Sequence, residues 1–486
     1  MTFLKKTVLT SLLVLCAGVV CGEKPNFLFI IADDCTYRDL GCYGGQAHTP
    51  NMNKLVTQGM KFNRCFQTSP MCSPTRHTIY TGLYPVKSGA YTNHSHAYDG
   101  VKSVVQYLKP LGYRVALSGK SHVAPVEVFP FERSQVRPKK KDRKIPPPSV
   151  IDFEAVDKLM KESVEAGTPF ALFACSNEPH EPWNKGVEYR KLYNADDIKL
   201  RPYMVDTKQT REEYVEYLGE ITFFDNEVGQ LLDLLEKHDL SDNTLVMVVS
   251  EQGNVFPFAK WSCYDSGLQS GMIVRWPGKV KAGSETDAMV EYVDVVPTFV
   301  EAAGGTPARK LDGKSLLPVL SGKTNEHKEY VYGLQTSRGI YHGPHHYGIR
   351  SVRDDQFKLI WNLDSGAEFQ NYARNKKWFA TWKERAEAGD EHAAWVLNRY
   401  ASRPELELYD ITADPFEINN LAQNPEYAGT IMRLKKQLDS WMASQGDKGQ
   451  ETELAAFERM LSGNDEYKAW AKANGNPNAD KKGEDY

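Results

Sequence analysis

The stretch "NFLFIIADD", residues 26–34, runs from a continuous apolar segment directly into two aspartates. An apolar run without alternation fits a strand buried on both faces, as in a parallel sheet. Three further runs have the same form. "YRVALSG" (113–119) leads to Lys120 and His122, "PFALFAC" (169–175) leads to His180, and "NTLVMVVS" (243–250) leads to Glu251 and Gln252. Stretches of helical period lie between them: "VKSVVQYLKPLG" (101–112), "FEAVDKLMKESVEAG" (153–167) and "YVEYLGEITFFDNEVGQLLDLLEKHDL" (214–240). Strands alternating with helices predict an α/β fold with a large, doubly wound, mainly parallel sheet. Ligands of such sheets sit outside the carboxyl ends of the strands. Four separate segments therefore carry acids, a lysine and histidines to one edge.

The chain has 486 residues, 41% of them hydrophobic and 25% charged, enough for one large core and a smaller partner. A net charge of −4 gives no global field for nucleic acid or for an anionic membrane surface, so neither is expected as a partner. Residues 1–22 have Lys5 and Lys6, a short apolar run and small residues near Gly22, which predicts a signal peptide and export to the periplasm or the medium. Val19 and Val20 before Cys21 fit a lipoprotein signal poorly, and no later segment has the length and apolarity to cross a bilayer.

Residues 23–325 form the expected α/β domain. From about 326 the texture changes: "KEYVYGLQ", "GIRSVRDDQFKLIWNLD" and "LELYDITADPFEINNLA" predict antiparallel strands, and "YAGTIMRLKKQLDSWMAS" a closing amphipathic helix. The expectation is a smaller α+β domain over 326–445, then a polar, frayed tail over 446–486. "RSQVRPKKKDRKIPPP" (133–148) reads as a solvated loop, or as a cationic lip for an anionic polymer. Beyond the signal, Cys35, Cys42, Cys65, Cys72, Cys175 and Cys263 are too few for a disulfide scaffold. With Cys72 set aside five remain, so at least one is expected to be free.

Adjacent Asp33 and Asp34 at a strand end repel each other once desolvated, and a hard divalent cation relieves this by accepting several oxygen ligands. Glu251 and Gln252 add oxygen donors on the same edge, which favours Ca2+ or Mg2+ over zinc. Lys120, His122, His180, Lys260 and Arg76 together describe a pocket for a tetrahedral oxyanion. Cys72 stands just before the helical "TRHTIYTG" (75–82), with Arg76 four residues on and on the same face. A thiolate beside a hard-cation site is chemically odd, since sulfur is a poor ligand for such an ion.

"CSPTR" (72–76) followed by "TG" resembles the C-x-P-x-R signature of the type I sulfatases, of the alkaline phosphatase superfamily. The resemblance extends through "IIADD", "GKSH", "PHEPW", "FPFAKW" and "ELYDITADPFEINNLA". It implies that a maturation enzyme oxidises Cys72 to Cα-formylglycine, and that this residue, Asp33, Asp34, Glu251 and Gln252 hold one Ca2+. It implies that Arg76 and Lys120 stabilise the aldehyde hydrate and that His122 is its base. His180 and Lys260 would bind sulfate and assist the leaving oxygen. One hydroxyl of a hydrated aldehyde attacks sulfur, and the second, losing its proton to His122, lets the hemiacetal collapse and release sulfate. Family members commonly have Asp followed by Asn or His where this chain has Glu251 and Gln252. Each side chain is one methylene longer, so the metal or backbone shifts, or only one of the two ligates.

"YRVALSGKSHVAPVEVFPFE" and "GIRSVRDDQFKLIWNLD" look most like the branch with heparan N-sulfatase and bacterial polysaccharide sulfatases. The expected substrate is a sulfated carbohydrate, an O-sulfate of an algal polysaccharide such as ulvan or carrageenan. The alternatives are a glycosaminoglycan N-sulfate and a phosphonate or phosphodiester. His94 and His96 after the signature helix, and His342, His345 and His346 in "GIYHGPHHYG" (339–348), are candidate sugar contacts.

Overall fold

The apolar run at the start of the chain is strand β1 (Asn26–Ile31), buried along its whole length at the middle of a nine-stranded sheet. The computed structural model describes residues 24–133, 150–340, 343, 346–475 and 478. The sheet also contains β2 (Met60–Phe66), β3 (Arg114–Gly119), β4 (Glu132–Arg133), β5 (Phe170–Cys175) and β6 (Thr244–Val249). β7 (Gln269–Arg275), β8 (Ser284–Thr286) and β9 (Val290–Glu291) complete it. Its spatial order is β4-β3-β5-β1-β6-β7-β2-β8, with β9 also on β2. β1 is parallel to both neighbours, Phe29 facing Phe173 on β5 and Met247 on β6. Only β7 runs against its neighbours β6 and β2. The four predicted strands are thus the contiguous centre of the sheet, with β3, β5, β1 and β6 side by side.

Alternate side chains of β1 feed two cores. Leu28 and Ile30 pack with Leu218, Ile221 and Phe224 of the helix Lys208–Lys237 on one face. Phe27, Phe29 and Ile31 pack on the other face with Val295, Val296 and Phe299 of the helix Val295–Ala302. Phe27 stacks on Phe299 at 4.5 Å. Each large apolar side chain buried in this way contributes about 1.5–3 kcal/mol. Covering both faces is what the unbroken apolar runs require.

The second sheet is antiparallel, in the order β10 (Val331–Gln335), β11 (Ile349–Arg353), β12 (Phe357–Asn362) and β13 (Leu406–Asp410). The closing helix, Ala428–Gln445, lays Leu434 and Leu438 on Leu334, Val352, Leu359 and Leu408. Buried Asp265 joins the two parts of the molecule, receiving Lys358 Nζ at 2.8 Å and the Arg353 guanidinium. Between β12 and β13 the chain leaves this sheet as a pair of helices, Lys377–Glu387 and Glu391–Ala401, which the sequence reading missed. Trp378 of this insertion meets Phe256 of the larger part at 5.3 Å, so the insertion belongs to the main core.

The region after 446 is not the frayed tail that its polarity suggests, at least as far as residue 475. It forms the helices Gln450–Leu454 and Asp465–Ala473, and Phe457 and Met460 are buried. Its charges face inward to partners that composition cannot reveal. Asp447 meets Arg350 Nε at 2.5 Å with both side chains fully buried, and Glu453 accepts from the Ser337 amide. Residues 1–22 and the basic stretch from 134 to 148 lie outside the described residues. The six cysteines expected to remain after the signal are all free thiols. No helix among the described residues is long and apolar enough to cross a membrane.

Arg350→Ala leaves Asp447 buried and unpaired. The expected loss of stability is roughly 3–5 kcal/mol, read from the denaturant midpoint. An unchanged midpoint would show that the C-terminal segment is not held by this pair.

Candidate active site

The carboxyl ends of β1, β3, β5 and β6 converge on one place, and the backbone there is bent to make them converge. The Asp33 amide donates to Glu178 O at 2.9 Å, while Asp34 takes a left-handed φ of 60°. Aspartate adopts this region at modest cost. β3 ends on Gly119, with φ at 90°, where a Cβ would stand 2.1 Å from Cys175 O. Glycine there lets the Lys120 amide bond Cys175 O at 3.0 Å. Cys72 heads the helix Cys72–Thr81, which begins three residues before the predicted start. Met71 provides no side-chain cap, and Thr75 Oγ1 braces the first turn on Ser69 O at 2.6 Å. Cys72 and Arg76 share the inward face.

Cys72 Sγ lies 3.1 Å from Asp33 Oδ1 and 3.8 Å from Asp34 Oδ1. Lys120 Nζ pairs with Asp33 Oδ2, and Lys260 Nζ with Asp34 Oδ2 at 2.7 Å. Arg76 is fully buried: Nε is 2.6 Å from Glu251 Oε1, a terminal nitrogen is 3.8 Å from Asp33, and another donates to Lys120 O. Burial alone would raise the Asp33 carboxyl, but Lys120, a hydrogen bond from Glu251, His180 and Arg76 hold it well below its usual range. Burial outweighs Arg76 at Glu251 and, with Asp33 beside it, pushes that carboxyl up. Burial and the Asp33 charge push the Cys72 thiol well up. Sulfur here is a neutral thiol, not a nucleophile.

His180 donates Nδ1–H to Glu181 O at 2.6 Å, which turns Nε2 toward Asp34 Oδ2, 3.5 Å away. Burial pulls its pKa down, with Lys260 and Lys120 adding to the effect against Asp34. His122 Nε2 lies 3.0 Å from His94 Nδ1, and both residues have positive φ. Burial and the nearby cations keep both rings neutral, His94 being pushed down to about 4.

The fold therefore brings Asp33, Asp34, Cys72, Arg76, Lys120, His122, His180, Glu251, Gln252 and Lys260 together. His94 joins them through His122. His96 does not: it is buried with Nε2 on Asn478 and its carbonyl on Arg459, a packing role that corrects its assignment as a sugar contact. His346 turns to Asp364 at 3.2 Å, and His342 and His345 lie outside the described residues. Sequence reading passed over Trp261, whose ring lies under Lys260 at 4.8 Å, and the Lys376 to Glu181 ion pair beside His180. An aromatic next to an active-site lysine was visible, whereas a pair spanning 195 residues was not.

The donor set fits a hard cation. Ligand atoms of Asp33, Asp34, Cys72 and Glu251 all lie within 4.8 Å of one another. Gln252 Nε2 faces Asp34 Oδ1 at 2.6 Å, while its Oε1 is buried without a hydrogen bond. A buried carbonyl left without a donor is costly, and an ion would satisfy it once the amide turned over.

The fold is one shared with solved sulfatases. The Sulfatase family model matches residues 25–305, and the model "N-sulphoglucosamine sulphohydrolase, C-terminal" matches residues 253–379. The chain belongs to the sulfatase family, and its reaction class is sulfuric ester hydrolysis. It is 34% identical over 432 residues to an ulvan-active sulfatase of Formosa agariphila, covering 88% of this chain and 81% of that one. It is 26% identical to human N-sulphoglucosamine sulphohydrolase, covering 87% and 91% of the two chains. A solved protein in complex with its substrate D-glucosamine-2-N,6-O-disulfate shares the fold, with a TM-score of 0.64 at 20% identity over 88% of this chain and 99% of that one.

His77, one residue beyond Arg76, is wholly buried with its pKa pushed down to about 4 by burial. The folded protein keeps this ring neutral while the unfolded chain protonates it near pH 6.5. The unfolded state then binds more protons, so stability falls as pH drops from about 6.5 to 4 and levels off below. Urea midpoints across this range should show that slope, and His77→Gln should make it shallower, leaving the part that buried His94, His122 and His180 contribute.

Proposed function

We propose that this protein is an exported sulfatase that removes an O-sulfate from a sulfated polysaccharide or oligosaccharide such as ulvan or carrageenan. The observation that carries the chemistry is the buried, neutral Cys72 thiol within "CSPTR", 3.1 Å from Asp33 and ringed by Lys120, Lys260 and Arg76. The carbohydrate substrate rests on the 34% identical relative, itself described as ulvan-active. Export rests on the signal-like residues 1–22.

In this reading a maturation enzyme oxidises Cys72 to formylglycine, whose hydrate supplies one hydroxyl for attack on sulfur and a second for release of sulfate. Asp33, Asp34, the modified Cys72, Glu251 and Gln252 would hold a Ca2+ ion, which would supply positive charge to the bound sulfate. Arg76 and Lys120 hold the hydrate and stabilise its charge. Lys260 and His180 grip the sulfate. The anionic ester offsets the burial of His180, so its Nε2 holds the proton that passes to the leaving oxygen. His122, kept neutral and held against His94, takes the proton of the remaining hydroxyl. A second reading, hydrolysis of a glucosamine N-sulfate, is favoured by the match of residues 253–379 to the C-terminal family of the N-sulphohydrolases.

Mass spectrometry of the Cys72 peptide, from a host with a maturation enzyme, should show the aldehyde, and Cys72→Ala should lose activity. Full activity with an intact thiol would end this reading. Release of sulfate from defined O-sulfated and N-sulfated oligosaccharides separates the two substrates, and phosphonate and phosphodiester controls should stay intact. Ca2+ should raise the melting temperature, by about 2.7 kcal/mol of stability at a hundredfold excess over Kd. Asp34→Ala should abolish that shift, and a shift that persists in the variant would place the ion elsewhere.

A further inference from the structure

His122 Nε2 and His94 Nδ1 are 3.0 Å apart, with the ring centroids 4.9 Å apart and the rings tilted at 55°. A hydrogen bond between two imidazoles has one donor and one acceptor, so only one of these nitrogens brings the proton to it. The surrounding structure enforces the contact. Both residues hold a left-handed backbone, with φ of 54° at His94 and 51° at His122, a conformation that the surroundings must support. The Leu461 amide fixes His94 by donating to its carbonyl at 2.7 Å, and Ser95 pairs with buried Met460. Arg459 donates to the carbonyls of Gly89 and His96, so the C-terminal segment holds the chain on both sides of His94.

The bond has two senses, and they leave different chemistry at His122. If His94 donates, the His122 proton sits on Nδ1, and that nitrogen has no lone pair to offer. If His122 donates from Nε2, its Nδ1 carries the lone pair and can take a proton. Nε2 is engaged by His94, so Nδ1 is the atom left to act on residue 72. His94 can accept only while it is neutral, since a protonated ring donates from both nitrogens. Burial, with Lys120 and Lys260 adding to it, provides that state by holding its pKa down to about 4. Lys120, Arg76 and Asp33 are the other charges that act on His122. The cleft of about 1010 Å3 beside His180, which has room for a sugar, is lined by Glu181, Trp183, Tyr372 and Lys376, and not by His94.

We propose that His94 is a positioning residue for sulfate release: its Nδ1 accepts the hydrogen bond from His122 Nε2 and fixes the tautomer in which His122 Nδ1 is the base. The assignment rests on the sulfatase reading, in which a second hydroxyl on residue 72 must lose its proton. In that step the proton goes to His122 Nδ1 and the electron pair of the O–H bond closes the carbonyl. The carbon–oxygen bond to the sulfate breaks, and sulfate leaves as the dianion. His122 then has a proton on each nitrogen, and the hydrogen bond to His94 steadies this cation against Lys120 and Arg76. The proton passes to solvent before the next turnover. His94 therefore serves the base and not the sugar, and the grip of Leu461 on its carbonyl gives the C-terminal segment a part in the same step.

The test uses the mature, calcium-loaded enzyme and an O-sulfated oligosaccharide that the wild type desulfates, with desulfated sugar and free sulfate measured separately in acid-quenched samples. His94→Ala should release desulfated sugar in the first turnover as fast as wild type, and free sulfate about a hundredfold more slowly. Sulfate then accumulates covalently on residue 72, where intact-mass spectrometry detects it. His94→Asn places Oδ1 near the position of Nδ1 and tolerates the left-handed backbone, so it should restore most of the sulfate-release rate. A merely structural role would slow both products together. Equal slowing of sugar and sulfate, a raised KM with unchanged rates, or no rescue by asparagine overturns the assignment. Nitrogen-15 NMR of the full-length enzyme labelled at histidine reads the tautomer without turnover: a proton on Nε2 of both His122 and His94 is expected, and a proton on His122 Nδ1 overturns the proposal. Failure of the wild type to release sulfate from any sulfated oligosaccharide, with the aldehyde confirmed, counts against the sulfatase reading, and the NMR spectrum still decides the sense of the hydrogen bond.

Discussion

Asp33 and Asp34 stand side by side, almost wholly buried, at the end of the central strand. Two desolvated carboxylates in neighbouring positions are strongly unfavourable unless each is matched by positive charge. The chain meets this demand with Lys120 after β3, Lys260 from the loop after β6 and Arg76 from the Cys72 helix. Each cation comes from a different segment, so the charges can be matched only when the sheet is assembled. The site and the fold are consequently one cooperative unit. Gln252 Oε1 is still without a hydrogen bond, and a bound divalent cation would satisfy it.

The same constraint explains why sulfur is chemically idle at the centre of the site. Burial and the Asp33 carboxylate keep the Cys72 thiol protonated, and a hard cation would not favour it as a ligand. Under the proposed function, an oxygen in place of this sulfur would meet neither obstacle. Backbone strain accumulates here as well. Asp34, His94, His122, Phe258 and Trp261 all have φ between 51° and 65°. Conformations of this kind persist where the surrounding structure over-determines them, and the sheet and its helices provide that support.

The second sheet is built separately but acts on the first. Its insertion carries Trp378 into the main core and Lys376 to Glu181, one residue from His180. Its C-terminal extension returns to the loop after the Cys72 helix, where Ser95 pairs with Met460 and the Leu461 amide donates to His94 O. His94, and through it His122, is therefore braced by residues more than 360 positions away.

Much of this was legible in the order of residues. The four apolar runs announced the central strands because a strand buried on both faces has no polar alternation, and the residues after them named most of the site. β2 was missed because Lys61, Asn63 and Arg64 interrupt its apolar pattern, and β7 because Gln269, Ser270 and Gly271 open it. His96 was misread since two histidines two positions apart look alike in a loop, yet one turns to His122 and the other to Asn478. The polar segment after 446 looked loose because its partners, Arg350 and Ser337, are about a hundred positions earlier. Local periodicity thus marks the central strands and the signature helix, because those depend on neighbours along the chain. The pairing of charges, the tautomer-setting contacts and the cleft beside His180 depend on which distant surfaces meet, and they exist only once the two sheets and the insertion are packed together.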